Sequence, residues 1–168
     1  MSDKILCVLA GYDDSTEERL SGIQNKLYAQ GFSGVQTKDI PMHFTLGTYD
    51  TSQENELRER LGKIAGTHRA FAAEFNHTGL FRLPANDVLF IAPEVSKDML
   101  YLKDEFMDSK DKYSWSPHTT MLIDKPDVIG RATQAVLGEM PVPTGMVTTL
   151  YLYEFWPARL IASVRLGQ

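Results

Sequence analysis

The stretch IPMHFTLGTYD, residues 40–50, has the composition of a β-strand, yet it carries a histidine and a threonine two positions apart. Side chains alternate between the two faces of a strand. His43 and Thr45 are therefore predicted to share one face, while Phe44 and Leu46 share the other. An apolar face packs on helices, so the polar pair is expected to point into a groove.

A second stretch, SPHTTMLID at residues 116–124, repeats this layout of proline, histidine and threonine. The same alternation places His118 and Thr120 on one face of a second strand, opposite Thr119 and Met121. Two such stretches in matching surroundings point to one site built from both.

Apolar runs and helical spacings around these stretches predict the order strand–helix–strand–helix–strand twice. Each histidine opens the second strand of its unit. The turn-rich segment NHTGLFRLPAND, residues 76–87, is predicted to connect the two units. The predicted strands are 4–10, 42–49, 69–75, 87–92, 117–123, 146–155 and 160–166, and the helices are about 15–30, 52–66, 95–109 and 128–137.

The composition is that of an ordinary globular protein, with 168 residues, 43% of them hydrophobic and 23% charged. A formal net charge of −5 argues against a broad cationic surface, so we expect no duplex DNA as partner. No stretch approaches the ~20 apolar residues of a membrane span, so we expect no membrane partner. The lone Cys7 and the absence of a signal-peptide pattern lead us to expect a cytoplasmic protein.

The paired residue types suit chemistry at a phosphate. Residues two apart on a strand lie roughly 6–7 Å apart, so an imidazole and a hydroxyl can reach different oxygens of one phosphate. If the two pairs converge from opposite sides, one imidazole can take the proton of the attacking oxygen while the other protonates the leaving oxygen. His43 and His118 are thus the candidate acid–base pair, and Thr45 and Thr120 the candidate phosphate ligands. This chemistry needs no metal or cofactor.

The quadruplets His43-Phe44-Thr45-Leu46 and His118-Thr119-Thr120-Met121 resemble the paired H-x-[ST]-x signatures of the two-histidine (2H) phosphoesterase superfamily. That superfamily includes the 2′-5′ RNA ligase-like proteins and the cyclic nucleotide phosphodiesterases. The resemblance covers most of the chain, through the two motifs and the repeated element order. Thr119 departs from the pattern, because the family usually has an apolar residue there.

The resemblance implies an α/β (α+β) fold with two lobes, each a pseudo-symmetric strand–helix unit with antiparallel-rich sheets, flanking a central groove. We expect a single domain over residues 1–168, with lobes at roughly 1–80 and 81–168; an exchange of terminal strands between the lobes is left open. The expected quaternary state is a monomer.

The resemblance also implies a metal-independent phosphoesterase of RNA processing. Its substrate would be an RNA end, an oligonucleotide or a cyclic nucleotide, cut at a 2′,3′-cyclic phosphate or a 2′-5′ phosphodiester. We favour hydrolysis of the cyclic phosphodiester. The reverse reaction, ligation, uses the same groups, so the two directions and the acid and base roles of the histidines stay open. We expect the Nδ1 atom of each ring to be held by a backbone carbonyl, leaving Nε2 for the phosphate.

Aromatic side chains near the motifs could stack on a base. The candidates are Tyr12 after the first strand, Phe81 in the connector and Trp115 before the second motif, although packing is the ordinary role of each. Arg82 could meet a terminal phosphate, or could be a solvated loop residue.

The residues leave room for two other functions. A non-catalytic protein that binds an RNA end or a nucleotide in the same groove is the main alternative, but binding alone does not require two proton-transfer groups. A zinc or iron site would need further ligands, and His68 and His77 follow no ligand spacing. Other hydrolase or nucleotide-binding classes lack support, since the sequence has no G-x-S-x-G elbow, Walker-type loop or G-x-G-x-x-G motif.

Overall fold

The computed structural model describes residues 3–34, 38–138 and 144–168. These residues form four α-helices and seven β-strands in the predicted order, so the fold is mixed α/β with an antiparallel sheet. The strands are β1 Ile5–Tyr12, β2 His43–Asp50, β3 Phe71–Arg82, β4 Asp87–Pro93, β5 Thr119–Asp124, β6 Thr144–Phe155 and β7 Arg159–Arg165. The helices are α1 Asp14–Ala29, α2 Glu54–Thr67, α3 Lys97–Asp104 and α4 Pro126–Leu137, and a short 3₁₀ helix covers Thr51–Gln53.

Helix α1 illustrates how local sequence sets an element. Leu20, Ile23 and Leu27 recur at helical spacing, and all three are buried. Gly31 has φ 92°, a left-handed conformation that glycine adopts without steric cost, and it lies just beyond the helix end. The apolar stripe of α1 therefore faces the core, and the chain turns away where the sequence predicted.

The predicted connector is largely wrong. Strand β3 runs on to Arg82 and forms an antiparallel hairpin with β4, so the turn is confined to residues 83–86. Arg82 pairs with Asp87 across the hairpin, with Nε 3.0 Å from the carboxylate. The pairing with β4 outweighs the polar residues of this stretch, since cross-strand contacts decide strand formation more than intrinsic preference does.

Helix α3 is shorter than predicted. Ser96 caps it by accepting a hydrogen bond from the backbone N–H of Met99, and the helix ends at Asp104. Residues 105–118, part of which was assigned to the helix, instead form turns and an extended segment that leads to His118.

The sheet has the strand order β2-β1-β6-β3-β4-β5, with β7 paired to β6, and every pairing between these strands is antiparallel. The first residues of β3 pair with β6 and the later ones with β4, so β3 spans two parts of the sheet. Strand β6, from the C-terminal half, lies between β1 and β3. Although β2 and β5 end this path, they contact each other. The sheet therefore curls so that its two motif-bearing strands meet.

Two further observations concern the chain as a whole. Cys7 is buried, and burial raises the pKa of its thiol to about 11. Among the described residues, no helix is both long and apolar enough to traverse a bilayer.

Candidate active site

His43 is the first residue of β2, and Gly11 of β1 is its cross-strand partner. Its Nδ1 lies 2.6 Å from the backbone carbonyl oxygen of Pro41. The side chain is half-buried. A carbonyl can only accept, so Nδ1 carries the proton and donates it, and Nε2 is left for a ligand.

His118 lies directly before β5 and is held in the same way. Its Nδ1 is 2.7 Å from the carbonyl oxygen of Ser116, again two residues earlier in the chain. The rings of Phe81 and Phe90 lie against it, with centroids 4.7 Å and 5.5 Å away. The predicted Nδ1 contact with a backbone carbonyl is thus present at both histidines.

The threonines follow the predicted alternation. Thr45 and Thr120 are half-buried, whereas Phe44 and Thr119, their neighbours in the chain, are fully buried. Thr120 is thus the threonine of the second motif that faces the open side. The buried faces hold β2 and β5 against the core, so the polar faces have little freedom to turn.

The two motifs line two cavities. The small cavity, of about 150 Å³, is lined by His43 and Thr120. The large cavity, of about 570 Å³, is lined by Thr45 and His118. Each cavity therefore receives the histidine of one motif and the threonine of the other. This crossed placement and the contact between β2 and β5 bring the two motifs next to each other.

The two imidazoles differ in basicity. Burial lowers the pKa of His43 to about 4, and the charge of a protonated His118 adds to this effect while the contact with Pro41 opposes it. Burial also lowers the pKa of His118, against a hydrogen bond to Ser116 that raises it. Both rings are therefore easily held neutral, and a bound phosphate anion would favour protonation of either.

The three predicted stacking residues have different surroundings. Phe81 and Trp115 line the large cavity. Tyr12 does not, because it is only 5% exposed and its ring packs on Phe44 and Phe75. A stacking role for Tyr12 is therefore excluded by its burial in the core.

Several lining residues were not predicted. Lys112 and Tyr113 line the large cavity, with the Lys112 ammonium 5.5 Å from the centre of the Tyr113 ring. Gln24 lines the small cavity from helix α1. Lys112 and Tyr113 could have been found from the cationic and aromatic residues of the stretch DKYSW, 111–115, which precedes the second motif. Gln24 lies in an ordinary amphipathic helix and gives no such signal.

Helix α1 also holds the backbone at both motifs. The Glu17 carboxylate accepts a hydrogen bond from the backbone N–H of Met42, 2.9 Å away and directly before His43. The Gln24 amide donates to the carbonyl oxygen of Met121 at 3.1 Å. One helix thus contacts both motif-bearing segments.

The segment before His118 covers the outer edge of β2. Trp115 donates from Nε1 to the carbonyl oxygen of Thr45 at 2.8 Å. The backbone N–H of Lys110 donates to the carbonyl oxygen of Thr48, also at 2.8 Å. The buried Lys103 ammonium donates to the carbonyl oxygen of Leu46 at 2.7 Å. Residues that precede the second motif in the chain are therefore bonded to β2, the strand that carries the first motif.

The remaining histidines lie apart from these contacts. His68 is buried at the end of α2 and stacks on Tyr101, with ring centres 4.5 Å apart. His77 is exposed and contacts the Asn76 side chain. Within residues 3–34, 38–138 and 144–168, no group of three or more His, Cys, Asp or Glu side chains is placed to hold a metal ion.

Comparison with known proteins gives a family and a fold. The model of the 2′-5′ RNA ligase superfamily matches residues 12–155. No curated protein matches the chain by sequence. Among solved structures, E. coli LigT complexed with 3′-AMP is 15% identical, with 98% of this chain and 99% of that chain covered and a TM-score of 0.65.

Two further solved structures have the same architecture. TT0787 of Thermus thermophilus is 15% identical over 98% of this chain and 99% of its own, with a TM-score of 0.65. Usb1 of Kluyveromyces marxianus, solved with uridine monophosphate, is 13% identical over 98% of this chain and 99% of its own, with a TM-score of 0.55. At these identities the likeness establishes the fold.

Proposed function

This chain belongs to the 2′-5′ RNA ligase superfamily of 2H phosphoesterases, and on that premise we propose that it is a metal-independent phosphoesterase of RNA ends or nucleotides. It acts on 2′,3′-cyclic phosphate or 2′-5′ phosphodiester bonds, with His43 and His118 as the acid–base pair. Hydrolysis of the cyclic phosphodiester is the favoured direction.

The observation that carries the proposal is the matched setting of the two imidazoles. In each ring Nδ1 is engaged by the carbonyl oxygen two residues earlier, at 2.6 Å for His43 and 2.7 Å for His118. Nε2 is therefore a proton acceptor when the ring is neutral and a donor when it is charged. A protein that only binds its ligand has no need for two such proton-transfer groups.

The reaction follows from this setting. Water attacks phosphorus, a neutral imidazole takes its proton at Nε2, and a new P–O bond forms. The P–O bond to one ribose oxygen breaks, and that oxygen receives a proton from Nε2 of the second, protonated imidazole. The Thr45 and Thr120 hydroxyls donate to the non-bridging oxygens, where negative charge increases. Ligation follows the same sequence with the 5′-hydroxyl of a second fragment in place of water, so that a phosphodiester forms as the P–O bond to one ribose oxygen breaks and that oxygen takes the proton.

The large cavity supports a nucleotide substrate. Its volume of about 570 Å³ lies within the range of small-molecule sites. Phe81 and Trp115 supply aromatic faces for a base, and Lys112 supplies a positive charge for a phosphate. The structures of LigT with 3′-AMP and of Usb1 with uridine monophosphate agree with a ligand of this class.

The test is turnover of each 2′,3′-cyclic nucleotide in excess EDTA. We expect the wild type to form a nucleoside monophosphate, and His43→Ala and His118→Ala each to lose about 10²–10⁴-fold in kcat. His77→Ala is the matched control, because His77 begins a similar triplet, HTG, but is exposed. It should retain full activity.

The outcomes separate the candidate functions. Nucleotide binding without turnover would favour the non-catalytic alternative and contradict the proposal. Activity lost in EDTA and restored by a divalent metal would contradict the metal-independent mechanism. Incubation with RNA fragments that carry a cyclic phosphate and a free 5′-hydroxyl would reveal ligation as a longer product.

A further inference from the structure

A buried hydrogen bond joins a residue of the second motif to the last residue of β1. The Tyr12 hydroxyl lies 2.7 Å from Oγ1 of Thr119, and the two side chains are 5% and 0% exposed. Thr119 is the position at which the motif departs from its usual apolar residue. A hydroxyl without a partner there would be costly, so the presence of Tyr12 opposite it explains how the core accepts this threonine.

The pair joins a neighbour of one histidine to a neighbour of the other. Tyr12 ends β1 next to Gly11, the cross-strand partner of His43, and its ring packs on Phe44 with centroids 6.2 Å apart. Thr119 is bonded in the chain to His118. Along the sheet, β1 and β5 are connected only through β6, β3 and β4. The hydrogen bond is therefore a direct link between strands that backbone pairing joins only through three others, and it adds to the contact that Trp115 makes with Thr45.

We propose that the hydrogen bond between Tyr12 and Thr119 sets the distance between the imidazoles of His43 and His118, which makes Tyr12 and Thr119 positioning residues of the proposed reaction. A hydrogen bond fixes both the distance and the direction of its two groups, whereas apolar contact fixes neither as closely. In-line transfer between two rings depends on their separation, and a 1 Å misplacement costs about 10²-fold. This inference rests on the proposed function.

Three variants separate positioning from stability: Tyr12→Phe, Thr119→Val and the double variant. Each single change leaves one hydroxyl buried without its partner and should lower Tm by roughly 2–12 °C. The double change removes both hydroxyls and keeps the shape, so its Tm should return close to the wild-type value. We expect kcat to fall about 10–100-fold in all three, including the stable double variant, with KM changed less than about threefold.

The control is Tyr49→Phe. Tyr49 is a buried tyrosine on the same strand as His43, but its hydroxyl donates to Asp108 at 3.0 Å, away from the motifs. Its loss should lower Tm in a similar way and leave kcat unchanged. If kcat follows Tm in every variant and recovers in the double variant, the pair only stabilises the fold and the inference is overturned.

A second readout does not depend on turnover. Carbon-13 NMR of the imidazoles should show that both histidines titrate differently in the double variant than in the wild type, and unchanged in Tyr49→Phe. Unaltered titration curves in the double variant would overturn the inference even if the wild type hydrolyses no cyclic nucleotide. If the double variant fails to fold, Tyr12→Phe alone decides, because it removes one hydroxyl and keeps the aromatic ring: full kcat there overturns the inference.

Discussion

Each imidazole at the groove is oriented by the backbone two residues before it. Pro41 provides the carbonyl for His43, and Pro117 lies between His118 and its acceptor Ser116. Because proline has a fixed φ, it limits the directions that the neighbouring carbonyl can take. The same tautomer results at both rings, with the proton on Nδ1 and Nε2 left for a ligand.

The pH dependence of kcat/KM follows from the lowered pKa values. The proposed reaction needs one neutral and one protonated ring, and the singly protonated pair is most abundant between the two pKa values. Burial lowers the pKa of His43 to about 4 and that of His118 below its usual 6.5. We expect kcat/KM to peak below pH 6.5 and to fall on both sides, whichever ring is the acid.

A pH–rate series on a 2′,3′-cyclic nucleotide measures this. The optimum of kcat should lie at higher pH than that of kcat/KM, because the substrate anion raises both pKa values in the complex. A profile with only one limb, or an optimum of kcat/KM above about pH 7.5, would contradict the assignment of the two histidines.

The lowered pKa of His43 should also make the folding stability depend on pH. Between pH 6.5 and about pH 4, His43 is neutral in the folded chain and protonated in the unfolded chain. The contribution of neutral His43 to stability is therefore fully present above pH 6.5 and is lost as the pH falls toward 4. His43→Gln should remove this loss, which is on the order of 3 kcal/mol. Urea titrations at about pH 7.5 and pH 4.5 test it, with the exposed His77→Gln as the control, which should keep the wild-type pH dependence.

Sequence patterns were informative for some residues of the site and not for others. The histidine–threonine spacing was enough to predict which side chains face the groove, because strand alternation is a strict geometric rule. The stacking role of Tyr12 was wrong, since a tyrosine at the end of a strand can turn either into the core or into a groove. Only its contacts with Phe75 and Thr119, distant in sequence, decide between the two.

At the scale of elements, glycines make room for aromatic rings beside both motifs. A Cβ at Gly11 would overlap the ring of Tyr151, and a Cβ at Gly79 would overlap that of Phe90. Gly11 pairs with His43, and Phe90 lies against His118. The strands next to the motifs therefore need glycine for packing.

Gly11→Ala tests this requirement. We expect a loss of about 1–3 kcal/mol in the free energy of unfolding, because Tyr151 must leave its place. The control is Gly62→Ala in helix α2, where an added Cβ meets nothing within 4 Å. That change should stabilise the protein by about 0.5–1 kcal/mol through helix preference. Equal effects in urea denaturation would contradict the packing argument.

The elements predicted best from the sequence are those whose apolar residues recur at a regular spacing. The apolar stripes of α1 and α2 and the short apolar strands were recognisable because each element buries one face. The continuation of β3 was missed because Thr78 and Gly79 resemble turn residues. Their strand conformation comes from pairing with Ile91 and Phe90 of β4, which local sequence does not contain.

At the scale of the whole molecule, the two halves of the chain are interleaved. Strand β6, Thr144–Phe155, pairs with β1 along nearly its full length and with the start of β3. Neither half of the chain contains a complete sheet. The single domain over residues 1–168 is still a prediction, and this topology favours it.

We therefore expect one cooperative unfolding transition. Far-UV and near-UV circular dichroism should give the same urea midpoint, and fragments 1–84 and 85–168 should be unfolded when separate. Mixing the fragments should restore part of the native spectrum. Two distinct midpoints, or a fragment with a native-like near-UV spectrum, would indicate that the lobes at roughly 1–80 and 81–168 fold independently.

The side-chain and backbone donors that bond to carbonyls of β2 and β5 also bear on how the protein behaves at high concentration. Exposed rims of a sheet can recruit a strand from another molecule, which is a common route to fibrils. Here the carbonyls of Thr45, Leu46 and Thr48 already accept from Trp115, Lys103 and Lys110, and Gln24 donates to that of Met121. Along these stretches a foreign strand would find its acceptors occupied, so concentrated solutions should resist growth of aggregates from either rim.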